Sequence, residues 1–231
     1  MNNFQGPRGI KFFLDTANLD EIRQGVEWGL IDGVTTNPTL VAKEGANFHK
    51  RIVEICDLVS KTVPYASVSA EVTALDAPGM LEQGKTLSKL HRNVTVKVPL
   101  IPEGLRACRQ LRENGIQVNV TLCFSPAQAI LAAKAGATYV SPFVGRLDDI
   151  GSDGMHLIRE IAEVYQARPV DTQILSASLR HPMHVVESAK AGAHVATMPF
   201  SVMKALFQHP LTDSGLKRFL EDWDKVKDKV Q

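Results

Sequence analysis

Short runs rich in β-branched residues recur along the chain, each followed by a longer stretch whose apolar positions return every three or four residues. The first pattern is that of strands and the second that of amphipathic helices, so their alternation predicts βα units wound into a parallel sheet. Eight strands are expected: KFFLDTA from Lys11, GVTTN from Gly33, YASVSAEV from Tyr65, VTVKVP from Val94, QVNVT from Gln117, YVSPFV from Tyr139, QILSAS from Gln173 and HVATMP from His194. Helices are expected to start at Asn18, at Ser125 followed by Pro126, and at Ser152, where a side-chain oxygen can hold the first free amides. Gly29, Gly115, Gly136 and Gly192 follow amphipathic runs and are expected to end them in a left-handed conformation.

Eight strand and helix units fit a closed (β/α)8 barrel better than an open doubly wound sheet, and 231 residues exceed the roughly 200 that such a barrel needs. An open nucleotide-binding sheet would carry a glycine-rich turn after its first strand, where this chain reads TANLD after Asp15. Beyond the eight units, Leu216, Phe219, Leu220, Trp223, Val226 and Val230 form one stripe of a further helix. The expected organisation is a leader at 1–10, a barrel at 11–211 and a C-terminal amphipathic helix at 212–231.

Side chains alternate faces along a strand, so each run divides into an outer set that meets helices and an inner set that fills the barrel. In VTVKVP, Val94, Val96 and Val98 oppose Thr95 and Lys97; in QVNVT, Val118 and Val120 oppose Asn119 and Thr121. The same division sets Val68, Ala70 and Val72 against Ser67, Ser69 and Glu71, and Phe12 and Leu14 against Phe13 and Asp15. It sets Val34 and Thr36 against Thr35 and Asn37, and Leu175 and Ala177 against Ser176 and Ser178. The polar set falls late in each strand, at the end where barrel enzymes hold their reacting groups. Asp15, Asn37, Glu71, Lys97, Asn119, Thr121, Ser141 and Ser178 are therefore expected around one mouth.

Composition narrows the choice of partner. Lys and Arg total 26 against 25 Asp and Glu, so no broad positive field exists to attract nucleic acid or an anionic membrane. No apolar run approaches the roughly 18 to 20 residues that span a bilayer, and MNNFQGPRG is too polar for a signal peptide, so a cytoplasmic protein is expected. Cys56, Cys108 and Cys123 form no CxxC pair and read as buried, reduced thiols, with a nucleophilic Cys123 the lesser reading.

An interior lysine is the most informative residue, because burying an unpaired ammonium is costly. Desolvation favours the neutral form of an amine, and a neutral amine attacks carbonyls, so Lys97 points to Schiff-base chemistry. No inward strand-end position is a histidine, which disfavours a metal mechanism. Asp15 and Glu71 come from separate strands, where different surroundings can make one an acid and the other a base. Asn37, Asn119, Ser141 and Ser178 suit sugar hydroxyls. Arg146 and Arg180 lie just beyond strand ends, either as a phosphate fork or as solvated loop charges.

From about Lys11 to about Trp223 the chain resembles the transaldolase family, in its short single-barrel form. The resemblance rests on LDTAN, GVTTNPTL, SAEV, VTVKVP, NVTLCFS, YVSPFVGRLDD and SASLR in that order. It implies a TIM barrel of the class I aldolase type that needs no cofactor. It also implies Lys97 as the imine-forming lysine, Asp15 as acid/base at the cleaved bond, and Glu71 with Thr121 as a proton relay through water. Arg146, Ser178 and Arg180 would hold phosphate, with Asn37, Asn119, Ser141 and Phe143 lining the substrate. The implied reaction moves a dihydroxyacetone unit from fructose 6-phosphate or sedoheptulose 7-phosphate to erythrose 4-phosphate or glyceraldehyde 3-phosphate. The implied assembly is a homopentamer or homodecamer using the C-terminal helix. The related fructose 6-phosphate aldolases release free dihydroxyacetone; this chain differs from them in Glu71 for Gln, Ser141 for Ala, Phe143 for Tyr and Arg180 for Lys. A sugar-phosphate-binding barrel without turnover, and a structural role resting on assembly, are the alternatives from other classes.

Overall fold

The computed structural model describes residues 9–230; most of the expected leader at 1–10, Gln231 and the side chains of Asp228, Lys229 and Val230 lie outside what it describes. β1 (Lys11–Asp15) leads to α1 (Leu19–Glu27), β2 (Gly33–Thr35) to α2 (Pro38–Lys43) and α3 (Phe48–Ser60), β3 (Ser67–Glu71) to α4 (Ala77–Ser88), and β4 (Val94–Pro99) to α5 (Pro102–Glu113). The chain continues through β5 (Val118–Cys123), α6 (Pro126–Lys134), β6 (Tyr139–Pro142), α7 (Val144–Asp148) and α8 (Gly154–Ala167). It ends with β7 (Gln173–Ser176), α9 (Pro182–Lys190), β8 (Val195–Met198), α10 (Phe200–Ala205) and α11 (Pro210–Val230). All neighbouring strands pair in parallel, and β1 pairs with β8 in the register Lys11↔Val195 to Leu14↔Met198, which closes the eight strands into a (β/α)8 TIM barrel.

Local chemistry sets the element ends. Asn18 accepts from the amides of Asp20 and Glu21, and Ser125 from that of Gln128, each leaving fewer orphan donors at the helix start. α8 is capped by Asp153, one residue after the Ser152 expected from the sequence: its carboxylate accepts from Met155 and His156. A carboxylate at that position also meets the positive end of the helix dipole, which a serine does not match. Gly29, Gly115, Gly136 and Gly192 all take positive φ, as helix stops require. α2 and α7 are short helices inserted after β2 and β6, where the sequence pattern was too brief to announce them.

The molecule has two apolar regions. Between sheet and helices, the outer faces of the strands, including Val34, Val68, Val96, Val118 and Val120, meet Ile22, Ile52, Met80, Leu111 and Ile158. Inside the barrel, Phe13, Tyr139, Leu175, Ala177 and Val195 form a separate cluster, with Phe13 and Tyr139 edge to face at 6.0 Å. Gly33 is required beside it, since a Cβ there would collide with the Ser67 carbonyl and the Phe13 ring. This plug seals the floor and leaves the strand ends to polar residues. The strand register carries those residues to one level: Glu71 pairs with Lys97, Lys97 with Asn119, and Asp15 with Thr35.

β7 departs from the expected alternation. Leu175 and Ala177 face the interior, while Ser176 faces outward, where its hydroxyl lies 2.8 Å from that of Ser188 on α9. Ser178 nonetheless reaches the mouth, because a left-handed backbone (φ 60°) turns the chain after Ala177. β5 carries a second irregularity, a bulge between Val120 and Cys123 with Leu122 at φ 63°. A bulge re-aims the residues around it, and this one brings Leu122 to the mouth beside Thr121.

Candidate active site

The carboxyl ends of the strands open into a cavity of about 540 Å³. It is lined by Asp15, Asn37, Glu71, Lys97, Asn119, Thr121, Ser141, Phe143, Arg146 and Ser178, ten of the eleven residues singled out from the sequence. The eleventh, Arg180, is not among its lining residues. Its guanidinium is paired with Asp149 at 2.7 Å, with both side chains about half exposed, and it lies against Gly145, next to Arg146. A larger cavity of about 620 Å³ among α2, α3 and α4 shares Pro38, Glu71 and Val72 with the first but contains no lysine.

At the centre of the mouth, Lys97 Nζ lies 3.1 Å from Glu71 Oε2 and donates to the Thr36 carbonyl at 3.4 Å. The lysine side chain is 8% exposed and the glutamate 20%, so the amine is sheltered and its carboxylate partner faces the opening. A buried ammonium without such a partner would be strongly destabilising. Thr121 Oγ1 is buried and has no hydrogen-bond partner among the described residues, a donor and acceptor left free for water or substrate.

Two hydrogen-bonded chains hold the rest of the ring. Ser141 donates to Asn119 Oδ1 at 2.6 Å, and Asn119 Nδ2 donates to Ser69 Oγ at 3.2 Å. Thr35 donates to Asp15 Oδ1 at 2.7 Å and lies 2.7 Å from Thr197 Oγ1. Asn37 extends from the end of β2 and caps α2 by accepting from the amide of Leu40 at 2.9 Å. Phe143 is edge-on to Phe124 at 5.8 Å, with the Arg146 guanidinium 4.7 Å from its centroid. Ser69, Thr35 and Thr197 were not singled out in the sequence, where inward parity was their only signal.

Beneath Arg180, His184 accepts from the Arg180 amide through Nδ1 at 3.2 Å, and its Nε2 lies 3.1 Å from Asp148. Burial, and secondarily the neighbouring His181, holds its pKa below the usual imidazole value. Burial pushes the Cys123 thiol up to about 12, so it stays protonated near neutrality and makes a poor nucleophile. Among the described residues no group of three or more His, Cys, Asp or Glu side chains is arranged to hold a metal ion.

A family model described as Transaldolase/Fructose-6-phosphate aldolase matches residues 12–230. The chain belongs to this family. A probable transaldolase of Shouchella clausii is 58% identical over 216 residues, covering 94% of this chain and 98% of its own. One from Aquifex aeolicus is 57% identical over 220 residues, covering 95% and 99%. Among solved structures, a thiamine phosphate pyrophosphorylase from Pyrococcus furiosus shares the fold with TM-score 0.57 at 14% identity, covering 84% of this chain and 87% of that one. For a transaldolase/fructose-6-phosphate aldolase family member, the sheltered lysine beside a carboxylate is the feature that chemistry must explain.

Proposed function

We propose that this family member is a transaldolase, which carries a dihydroxyacetone unit from a ketose phosphate to an aldose phosphate on a Schiff base at Lys97. The observation that carries the reading is the Lys97 amine 3.1 Å from Glu71, beside the unpartnered hydroxyl of Thr121. In this reading Glu71 takes a proton from the Lys97 ammonium, and the amine so freed adds to the C2 ketone of fructose 6-phosphate or sedoheptulose 7-phosphate. Glu71, with a water held by Thr121, moves the protons that turn the carbinolamine into an iminium and one water. Asp15 takes the proton of the C4 hydroxyl as the C3–C4 bond breaks, its electrons passing to the iminium to give an enamine. The aldose phosphate departs. The acceptor aldehyde then adds at the same carbon, Asp15 returns the proton to the new hydroxyl, and hydrolysis frees Lys97.

Neutral donors and acceptors on Asn37, Asn119, Ser141 and Ser178 suit the sugar hydroxyls, and Arg146 and Arg180 suit the terminal phosphate. The family also contains aldolases, which release dihydroxyacetone; Glu71, Ser141, Phe143 and Arg180 support transfer over release. A binding barrel without turnover would have no use for a sheltered amine paired to a carboxylate. We assign the protein to the cytoplasm, in the non-oxidative exchange of sugar phosphates, as a homopentamer or homodecamer built on the apolar stripe of α11. Among the described residues no helix is long and apolar enough to cross a membrane. Borohydride reduction in the presence of fructose 6-phosphate should attach the three-carbon unit to Lys97 alone, and Lys97→Arg should abolish both adduct and turnover. An adduct on Lys43, which also lines the cavity, would overturn the mechanism. Asp15→Ala and Glu71→Ala should each lower turnover by about a hundredfold or more.

A further inference from the structure

Asp15 at the end of β1 is flanked by β2 on one side and β8 on the other. Both neighbours send a threonine into the barrel: Thr35, level with Asp15, and Thr197, paired with Phe13 two residues below. The two hydroxyls meet across β1 at 2.7 Å, and Thr35 reaches Asp15 Oδ1 at 2.7 Å. A hydroxyl has one proton to donate and a carboxylate only accepts. The proton of Thr35 therefore goes to Asp15, and the donor between the two threonines is Thr197. The chain runs in one direction, Thr197 to Thr35 to Asp15.

We propose that Thr35 and Thr197 are positioning residues that set the orientation of the Asp15 carboxylate and so choose which oxygen exchanges the proton at the cleaved bond. The proposal rests on the reading of Asp15 as the acid/base. The terminal torsion of an aspartate is broad and twofold, so its own rotamer does not fix the carboxylate plane. A short charge-assisted bond to Oδ1 does. Oδ2 makes no hydrogen bond among the described residues and is left for substrate. Two other buried threonines, Thr36 and Thr172, donate to backbone, to the carbonyls of Ser69 and Ala137. Thr35 and Thr197, at 3% and 2% exposure, have only each other and Asp15. Packing in a strand is served equally well by valine. When Asp15 holds the substrate's proton on Oδ2, Oδ1 is a carbonyl oxygen that still accepts from Thr35, so the geometry survives both halves of the cycle.

The test compares Thr35→Val, Thr35→Ser, Thr197→Val and Thr35→Val in an Asp15→Ala background. It measures transfer from fructose 6-phosphate to erythrose 4-phosphate and borohydride trapping of dihydroxyacetone on Lys97. Thr35→Val should lower kcat about 10- to 100-fold, the usual effect of a small misplacement at a reacting group, while KM and trapping stay near parental values. Thr35→Ser, which keeps the donor, should restore most of kcat; Thr197→Val should cost less than Thr35→Val. With Asp15→Ala already present, Thr35→Val should add nothing. Unchanged kcat in Thr35→Val, failure of the serine to restore it, or an equal loss in the Asp15→Ala background would overturn the positioning role. If the parent chain forms no adduct on Lys97, the functional reading falls first, and the proposal with it.

Discussion

Phe143→Tyr separates transfer from release. After cleavage the three-carbon unit remains on Lys97 as an enamine, and two fates compete for it. Addition to an acceptor aldehyde gives transfer. Protonation at carbon, followed by attack of water on the iminium, gives free dihydroxyacetone. Exclusion of water protects such an intermediate. Phe143 lines the cavity with an apolar ring held between Phe124 at 5.8 Å and the Arg146 guanidinium at 4.7 Å. It has no group that binds water.

A tyrosine keeps the ring and its two neighbours and adds one hydroxyl. Space is not limiting, since a water takes up about 30 Å³ and the cavity holds about 540 Å³. A net hydrogen bond is worth about 0.5–1.5 kcal/mol, and 1 kcal/mol corresponds to about a fivefold change in rate. The ratio of release to transfer should therefore rise by about twofold to about tenfold. The assay follows free dihydroxyacetone from fructose 6-phosphate alone and transfer to erythrose 4-phosphate at matched donor concentration. Phe143→Leu controls for a looser wall: it opens space without a hydroxyl and should not raise the ratio as tyrosine does. A parental ratio in Phe143→Tyr would mean that the ring is packing, and that the transfer preference lies with Glu71.

Arg180→Ala should raise KM for phosphorylated ketoses about 10- to 100-fold, the worth of hydrogen bonds to a charged group, and leave unphosphorylated analogues unaffected; equal losses for both would show that it does not read phosphate. Because Asp149 competes for that guanidinium through a half-exposed pair worth about 0.2–1 kcal/mol, Asp149→Asn should lower the same KM by up to about fivefold. His184 and His194 are held below the usual imidazole pKa by burial, and each accepts a backbone amide through Nδ1. Below about pH 6.5 the unfolded chain takes up protons that the folded chain refuses, so Tm should fall as pH is lowered through that value, and a flat or rising Tm would contradict this. Leu216, Phe219, Leu220, Trp223 and Val226 are 43–72% exposed on α11. Truncation after His209 should reduce the assembly measured by light scattering, and a parent with the mass of a single chain would refute an oligomer built on this stripe.

The barrel was legible because its strands repeat one rule. In β4 and β5, valines alternate with Thr95, Lys97, Asn119 and Thr121, and a one-residue shift would have put every polar group against the helices. β7 broke the rule where small residues carried too little contrast: Leu175, Ser176, Ala177 and Ser178 are compatible with either face. The choice was made by their surroundings, Ser188 on α9 for Ser176 and the Phe13 and Tyr139 rings for Leu175 and Ala177. The turn that restores Ser178 to the mouth has no sequence signature, since a left-handed serine is unusual.

Charge made part of the site visible and its absence hid the rest. An interior Lys97 or Glu71 needs a partner, so each one's position on an inward strand face already implies something about its neighbours. A threonine implies nothing of the kind, because the same side chain is an ordinary β-former, and Thr35 and Thr197 lie 162 positions apart. Their relation exists only because closing the barrel places β8 beside β1 and β1 beside β2. Arg180 shows the opposite limit. Its type and place after β7 suggested a phosphate ligand, yet its direction at the mouth depends on Asp149, a residue contributed by the turn after α7 and set by no periodicity. Charged residues on strands are thus readable from parity alone, whereas hydroxyl relays and loop guanidiniums acquire their roles from closure and from loop partners.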